Sequence, residues 1–218
     1  MIPQPRILAA SEAAACAAGQ LRRVGGLRLT QRALDFCCFA PASRLADIGC
    51  GQGATVAFLR AAGFEACGLD FDAAALFAAG PHCQAGDAQK MPYEDSAMDG
   101  LFFECSLSQM AKPSQVLAEA RRVLKPQGRL IISDLYARQE KPSTAGPLLD
   151  RERWYGLMRA AAFTPLLFED KSADLQALTA QLLWQYGRES LEKLYDCEHE
   201  ALKSSRCGYF LLIACKEE

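Results

Sequence analysis

Several things are missing from this 218-residue chain, and each absence removes a class of function. There is no surplus of positive charge: 24 Lys and Arg stand against 26 Asp and Glu, for a formal net of −2. Phosphate backbones are bound by clustered cations, so nucleic acid is not an expected partner. The pairs Arg22-Arg23 and Arg121-Arg122 read as solvated helix faces. There is no long apolar run either. The early segment "ILAASEAAACAAG" is interrupted by Glu12 and is too short to cross a bilayer, so neither a membrane span nor an export signal is expected. Ten cysteines contain no C-x-x-C pair, which points to reduced thiols in a cytoplasmic protein rather than to a disulfide framework. Histidine is scarce: His82 begins a strand at the wrong edge of the sheet for chemistry, and His199 sits in a late charged helix. No metal site is expected.

What is present is apolar content, 50% of the chain, without repeats or low-complexity linkers. That suits one large domain with small appendages. A chain of this length buries about 70% of its unfolded surface, so it needs no covalent staple.

Residues 1 to about 24 read as an Ala-rich helix, broken by Gly25 and Gly26 in "GGLRLT". Thr30 is placed to cap a second helix, "QRALDFCCFA", which Pro41 ends. From Arg44 short apolar runs alternate with helical stretches. "RLADIG" reads as the first strand, "ATVAFLRAA" as its helix closed by Gly63, and "FEACGLD" as the second strand. "AAALFAA" follows as a helix capped by Asp72 and ended by Gly80, then "HCQAGDA" and "MDGLFFE" as strands. The helix "SQVLAEARRVL" puts Val116, Leu117, Ala120, Val123 and Leu124 on one face, and a "KPQG" turn delivers "RLIISDL". A helix from Leu148 to Ala161, the strand "FTPLLFE", helix from about Ser172 to Leu202 and the strand "YFLLIAC" complete the chain. Repeated β-α units with continuous apolar strands predict an α/β fold, its mainly parallel sheet covered on both faces.

"LADIGCGQG" carries the chemistry. Gly49, Gly51 and Gly53 let the backbone turn sharply out of a strand and expose amides to a ligand. "GCGQGA" also satisfies the dinucleotide pattern G-x-G-x-x-G/A. Asp47 separates the two readings. An acid beside pyrophosphate is repelled by several kcal/mol, on the order of Coulomb energies in a poorly solvated site, whereas beside an ammonium it is attractive. S-adenosylmethionine carries an ammonium, a carboxylate and a sulfonium and no phosphate. Asp70 ends the second strand nineteen residues after Gly51, where an acid accepts hydrogen bonds from both ribose hydroxyls of an adenosine. Phe71, beside it, is placed to line an adenine pocket or to pack in the core.

Together "LADIGCGQG", "GLDFD", "GDAQKMPYEDSAMDGLFFE" and "VLAEARRVLKPQGRLIISD" resemble, in order over residues 44 to 135, the motifs of class I S-adenosylmethionine-dependent methyltransferases. The chain is most similar to the ubiquinone/menaquinone-biosynthesis type of small-molecule methyltransferase. The resemblance implies a Rossmann-like, seven-stranded, mainly parallel sheet with an antiparallel last strand. It implies a methyltransferase domain over 44–218, and an N-terminal helical segment, 1–43, that covers the cofactor site and whose "GGLRLT" hinge closes over it. S-adenosylmethionine would be held by Asp47, Gly49, Cys50, Gly51, Gly53, Asp70, Phe71, Asp87, Ala88 and Glu104. Within that set Asp87 would meet the adenine amino group and Ala88 would offer its amide. Glu104 or Cys105 would lie near the methionine end. The chain departs from the usual "LKPGG" with Gln127, and "FFECSLSQM" differs from the fourth-strand loop of relatives, so the acceptor does not carry over.

In-line transfer of an activated methyl needs alignment above all, worth about 7–11 kcal/mol when geometry is matched. Where the acceptor must lose a proton, Glu104 is the leading base, with Ser106, Asp134 and Tyr136 also near the carboxyl ends of strands. A thiophilic acceptor held by Cys16, Cys105, Cys197 or Cys207 is a further reading, against simple packing of these thiols. Cys37, Cys38, Cys50 and Cys67 suit packing. The alternatives are an NAD(P)-dependent oxidoreductase and a non-catalytic S-adenosylmethionine-binding protein.

Overall fold

The structure, a computed structural model, describes residues 6–7, 24–138, 148–196 and 207–217. A two-residue strand β1, Arg6–Ile7, pairs antiparallel with a second short strand, β8, Tyr195–Asp196. Arg6–Ile7 therefore corrects the expected first helix at those positions, and most of that helix, 1 to about 24, lies outside the described residues.

The main sheet has seven strands in the order β4-β3-β2-β5-β6-β9-β7. These are β2 (Arg44–Ile48), β3 (Glu65–Asp70), β4 (Cys83–Ala85), β5 (Met98–Glu104), β6 (Leu124–Ala137), β7 (Phe163–Asp170) and β9 (Cys207–Lys216). β2 to β6 run parallel, and β9 lies antiparallel between β6 and β7. This is the expected Rossmann-like sheet with its antiparallel last strand.

The two-residue side-chain period of a strand sorts the core into two layers. Leu101, Phe103, Leu130, Ile132, Phe210 and Leu212 face one way. They pack under α3 (Pro113–Val123) and α4 (Arg151–Ala160). Phe102, Ile131, Leu211 and Ile213 face the other way, against α1 (Leu27–Cys37) and α2 (Ala54–Ala61). The expected face of α3 is buried throughout. A last helix, α5 (Ser172–Leu194), packs Leu175 and Leu178 beside Val24, Leu29 and Tyr209.

Several element boundaries differ from expectation. α1 begins at Leu27 behind Gly26, with no side-chain cap, so Thr30 lies inside the helix rather than at its start. It ends at Cys38, which takes a left-handed conformation before Pro41 is reached. "AAALFAA" makes only a 3₁₀ turn, Ala75–Ala78. Asp72 does accept an early amide, from Ala74, but the stretch is too short to repay helix nucleation. α4 starts at Arg151, with Asp150 accepting the Arg153 amide at 2.8 Å. α5 stops at Leu194, short of the expected Leu202. β6 includes the "KPQG" turn, because Leu124 already pairs with Met98 before an irregularity at Gly100.

Parallel neighbours β2 and β5 connect to opposite sides of the sheet. Their carboxyl ends therefore open a crevice at the point where strand order reverses, the usual place for a ligand in such sheets.

Candidate functional site

A cavity of about 660 Å³ opens at that crevice, within the range of small-molecule sites. Its floor is the loop after β2. Gly49, Gly51 and Gly53 all have positive φ, at 81°, 51° and 75°. Gly49 and Cys50 donate their amides to the Leu69 carbonyl at 2.7 and 3.1 Å, which folds the loop back over β3. A Cβ on Gly49 would stand 2.5 Å from that of Ser106, so this glycine makes room for the loop after β5. Ser106 in turn donates to the Ile48 carbonyl at 2.7 Å. Gly53 is packed against the Cys83 sulfur. Gly51 alone of the three meets nothing within 4 Å, and it lines the cavity together with Gly49.

Acids surround this floor. Asp70 Oδ2 accepts the Gly51 amide at 2.7 Å and its Oδ1 accepts the Asp72 amide at 2.9 Å. The Gly86 amide bonds the Asp70 carbonyl, which brings "GDA" to the same rim. There Asp87 accepts the Gln89 amide at 2.8 Å and Ala88 forms part of the wall. Phe71 is 84% exposed, which decides against a core role and leaves its ring at the cavity mouth. Glu104 is buried, and its two oxygens accept hydroxyls from Thr30 of α1 at 2.8 Å and Thr55 of α2 at 2.5 Å. Asp70, Asp72, Asp87 and Glu104 all line the cavity, and no Lys, Arg or His lines it among the described residues.

Of the residues expected to bind a cofactor, Gly49, Cys50, Gly51, Asp70, Phe71, Asp87, Ala88 and Glu104 share this wall. Asp47 and Gly53 lie behind it, Asp47 buried in β2 between Gly68 and Phe102 of the neighbouring strands. The Cys50 thiol is pushed well above its ordinary range, first by burial and then by the Asp47 charge. Thr30 is expected from the sequence only as a helix cap, and Thr55 and Gln109 carry no expectation there. A threonine between Leu29 and Ala33 on the apolar face of a helix was the available signal for Thr30.

The other proton-handling candidates divide. Ser106 and Cys105 line the cavity, and the Cys105 thiol lies 2.8 Å from the Tyr209 hydroxyl, which donates to Ser133 Oγ at 3.1 Å. Asp134 and Tyr136 do not line it. Asp134 accepts the Ser108 amide at 2.9 Å, the Ser108 hydroxyl at 2.7 Å and the Leu135 amide at 2.8 Å. Burial pushes its pKa up, against the pull of those bonds. Tyr136 packs edge-on to Phe168 and Phe210. His82 gives its carbonyl to the Gly68 amide and lies off the cavity; His199, Cys16 and Cys197 lie outside the described residues. Among the described residues eight cysteines are free thiols. Among the described residues no group of three His, Cys, Asp or Glu is arranged to hold a metal ion, and no helix is long and apolar enough to cross a membrane.

Residues 46–132 match the family model described as a methyltransferase domain. The chain is 29% identical over 188 residues to the 27-O-demethylrifamycin SV methyltransferase of Amycolatopsis mediterranei (strain S699), an alignment covering 76% of this chain and 66% of that one. It is 33% identical over 140 residues to the 2-phytyl-1,4-naphtoquinone methyltransferase of Synechocystis sp. (strain ATCC 27184 / PCC 6803 / Kazusa), covering 56% of each. Among solved structures, Haemonchus contortus phosphoethanolamine N-methyltransferase 2 in complex with S-adenosyl-L-methionine superposes with a TM-score of 0.71 at 15% identity. That match covers 91% of this chain and 54% of the other, and at this identity it speaks to the fold alone. The chain spans from 20% to 66% of the length of the first curated relatives it matches.

Proposed function

We propose that this chain, whose residues 46–132 match the methyltransferase domain model, is an enzyme that transfers a methyl group from S-adenosylmethionine to a small-molecule acceptor. The observation that carries the reading is the charge of the cavity: four carboxylates and, among the described residues, no cation on its wall. Such a wall favours a phosphate-free, cationic donor and repels pyrophosphate. The bare Gly51 leaves open space where an adenosine donor must come close to backbone.

On this reading Asp70 accepts the ribose hydroxyls, Phe71 flanks the adenine, and Asp87 and Ala88 meet its edge. Gly49, Cys50 and Gly51 offer backbone to the methionine portion, with Gly53 shaping the turn behind them. Glu104, supported at longer range by Asp47, faces the cationic end. When bound, the donor supplies an activated methyl on a sulfonium. The protein's part is then to orient the acceptor and exclude water, and alignment of this kind is worth about 7–11 kcal/mol. Both Glu104 oxygens accept hydroxyl hydrogen bonds, which supports a fixed anion over a base that must take a proton. Ser106 and Cys105 also border the reacting end.

The reading extends to the N-terminal segment, 1–43, as the cover of the site over a domain of 44–218. Cytoplasmic placement is part of it, supported by the eight free thiols. Two comparisons test it. Calorimetry with S-adenosylhomocysteine and with NADH should give binding of the first alone, and binding of NADH alone would replace it with an oxidoreductase. A methyl-transfer screen across small hydroxyl, amine, carbon and thiol acceptors should give turnover. Binding without turnover on any of them would favour a non-catalytic cofactor-binding protein.

A further inference from the structure

The Glu104 carboxylate ties together two helices at the cavity. Thr30 comes from α1 and Thr55 from α2, and their hydroxyls donate to separate oxygens of the same carboxylate, at 2.8 and 2.5 Å. Both threonines are almost fully buried, at 0% and 1% exposure, and Glu104 is at 9%. A carboxylate this far from water is tolerated only with donors in place. A threonine inside a helix ordinarily returns its hydroxyl to its own backbone four residues earlier. The Thr30 hydroxyl donates across 74 residues of sequence.

α1 also buries Leu29, Ala33 and Leu34 against the core. It follows Gly25 and Gly26, both at positive φ, and its outer face is joined to α5 and β7 by Arg28–Asp174 at 2.8 Å and Arg32–Glu169 at 2.5 Å. Arg28 is 80% exposed, so the first of these pairs contributes little. The Thr30 to Glu104 bond is the polar link that runs from α1 to the cavity wall.

We infer that Thr30 and Thr55 are positioning residues that fix the Glu104 carboxylate for the cationic amino-acid end of the cofactor, and that Thr30 thereby makes the seating of α1 and the occupation of that subsite one coupled equilibrium. The inference rests on the function proposed above. A cation at Glu104 strengthens the charged form that Thr30 donates to, so the ligand favours the seated helix. By reciprocity the seated helix favours the ligand.

The test uses the full chain and two probes. S-adenosylhomocysteine carries the ammonium; 5′-methylthioadenosine shares its adenosine and lacks the amino-acid portion. In Thr30→Val and Thr55→Val, S-adenosylhomocysteine should bind about tenfold more weakly, the scale of one hydrogen bond to a charged group, while 5′-methylthioadenosine is unchanged. Thr30→Ser should restore the wild-type ratio. In the wild type, hydrogen exchange should show residues 27–37 protected by S-adenosylhomocysteine and not by 5′-methylthioadenosine, a measurement that stands even where a valine variant fails to fold. Equal weakening of both probes, equal protection by both, or unchanged S-adenosylhomocysteine affinity would overturn the coupling alone. A wild-type chain that binds neither probe would overturn the proposed function, and this inference with it.

Discussion

The Gly51 amide and the Asp70 carboxylate meet at 2.7 Å, so the acid at the end of β3 and the turn after β2 form one unit. Asp70 also fixes the next turn through the Asp72 amide. One side chain thus shapes the glycine loop and presents an anion to the ribose position. Asp70→Ala should lower S-adenosylhomocysteine affinity by roughly 1–3 kcal/mol in calorimetry, with Asp70→Asn between it and wild type. A folded Asp70→Ala that binds as tightly as wild type removes the ribose role.

Two glycines of the same loop should fail differently. Gly51→Ala must accept φ near +51° but meets no neighbour, so its stability cost is the backbone term alone, about 1–2 kcal/mol, while its methyl enters the cavity. Gly49→Ala carries a similar backbone cost and also drives its methyl to 2.5 Å from the Ser106 Cβ. Thermal melts should therefore show the larger loss for Gly49→Ala. Calorimetry should show the larger loss of cofactor affinity, relative to stability, for Gly51→Ala. The reverse ranking would mean that Gly51 does not face the ligand.

The parts of this molecule that a local pattern determines were legible in the sequence. Continuous apolar strands marked a sheet covered on both faces, which the structure meets with Phe102 and Phe103 in opposite layers, and helical spacing gave the buried face of α3. The glycine loop was legible because its spacing is a backbone requirement, although only the structure shows that Gly49 is bare for Ser106 and Gly51 for open space. What failed depends on distant partners. Thr30 sits where a cap is plausible, and its actual acceptor is Glu104. Asp134 lies near the carboxyl end of β6, where a base might, yet it bonds Ser108 and does not line the cavity. Gln127, where the resembled "LKPGG" motif has glycine, takes φ of 62°, the left-handed conformation glycine favours.

Asp134 should accordingly prove structural. Asp134→Ala leaves the Ser108 amide, the Ser108 hydroxyl and the Leu135 amide without their acceptor. Denaturation midpoints should report a loss of about 1–3 kcal/mol, with 5′-methylthioadenosine affinity held within a factor of about two under folding conditions. A stable Asp134→Ala that has lost turnover on an identified acceptor would return this residue to the chemistry.

Glu119 supplies a pH-dependent contribution whose sign follows from its surroundings. Arg122 holds it with Nε to Oε1 at 2.9 Å and Nη2 to Oε2 at 2.8 Å, and the Met91 amide adds a third bond at 2.9 Å. The Arg122 hydrogen bonds are the largest cause of a carboxyl held below its ordinary 4.5, with the Met91 bond adding to them against burial. A lowered folded value means that the stabilisation is complete above the unfolded 4.5 and is lost as pH falls through the folded one. With side chains 33% and 19% exposed, the pair contributes up to about 1 kcal/mol. Glu119→Gln should thus be less stable than wild type near about pH 7, by that amount, and the two urea midpoints should converge as pH falls below 4.5 and through the folded value. A gap that stays constant over this range would assign the loss to packing of the 91–95 loop rather than to charge.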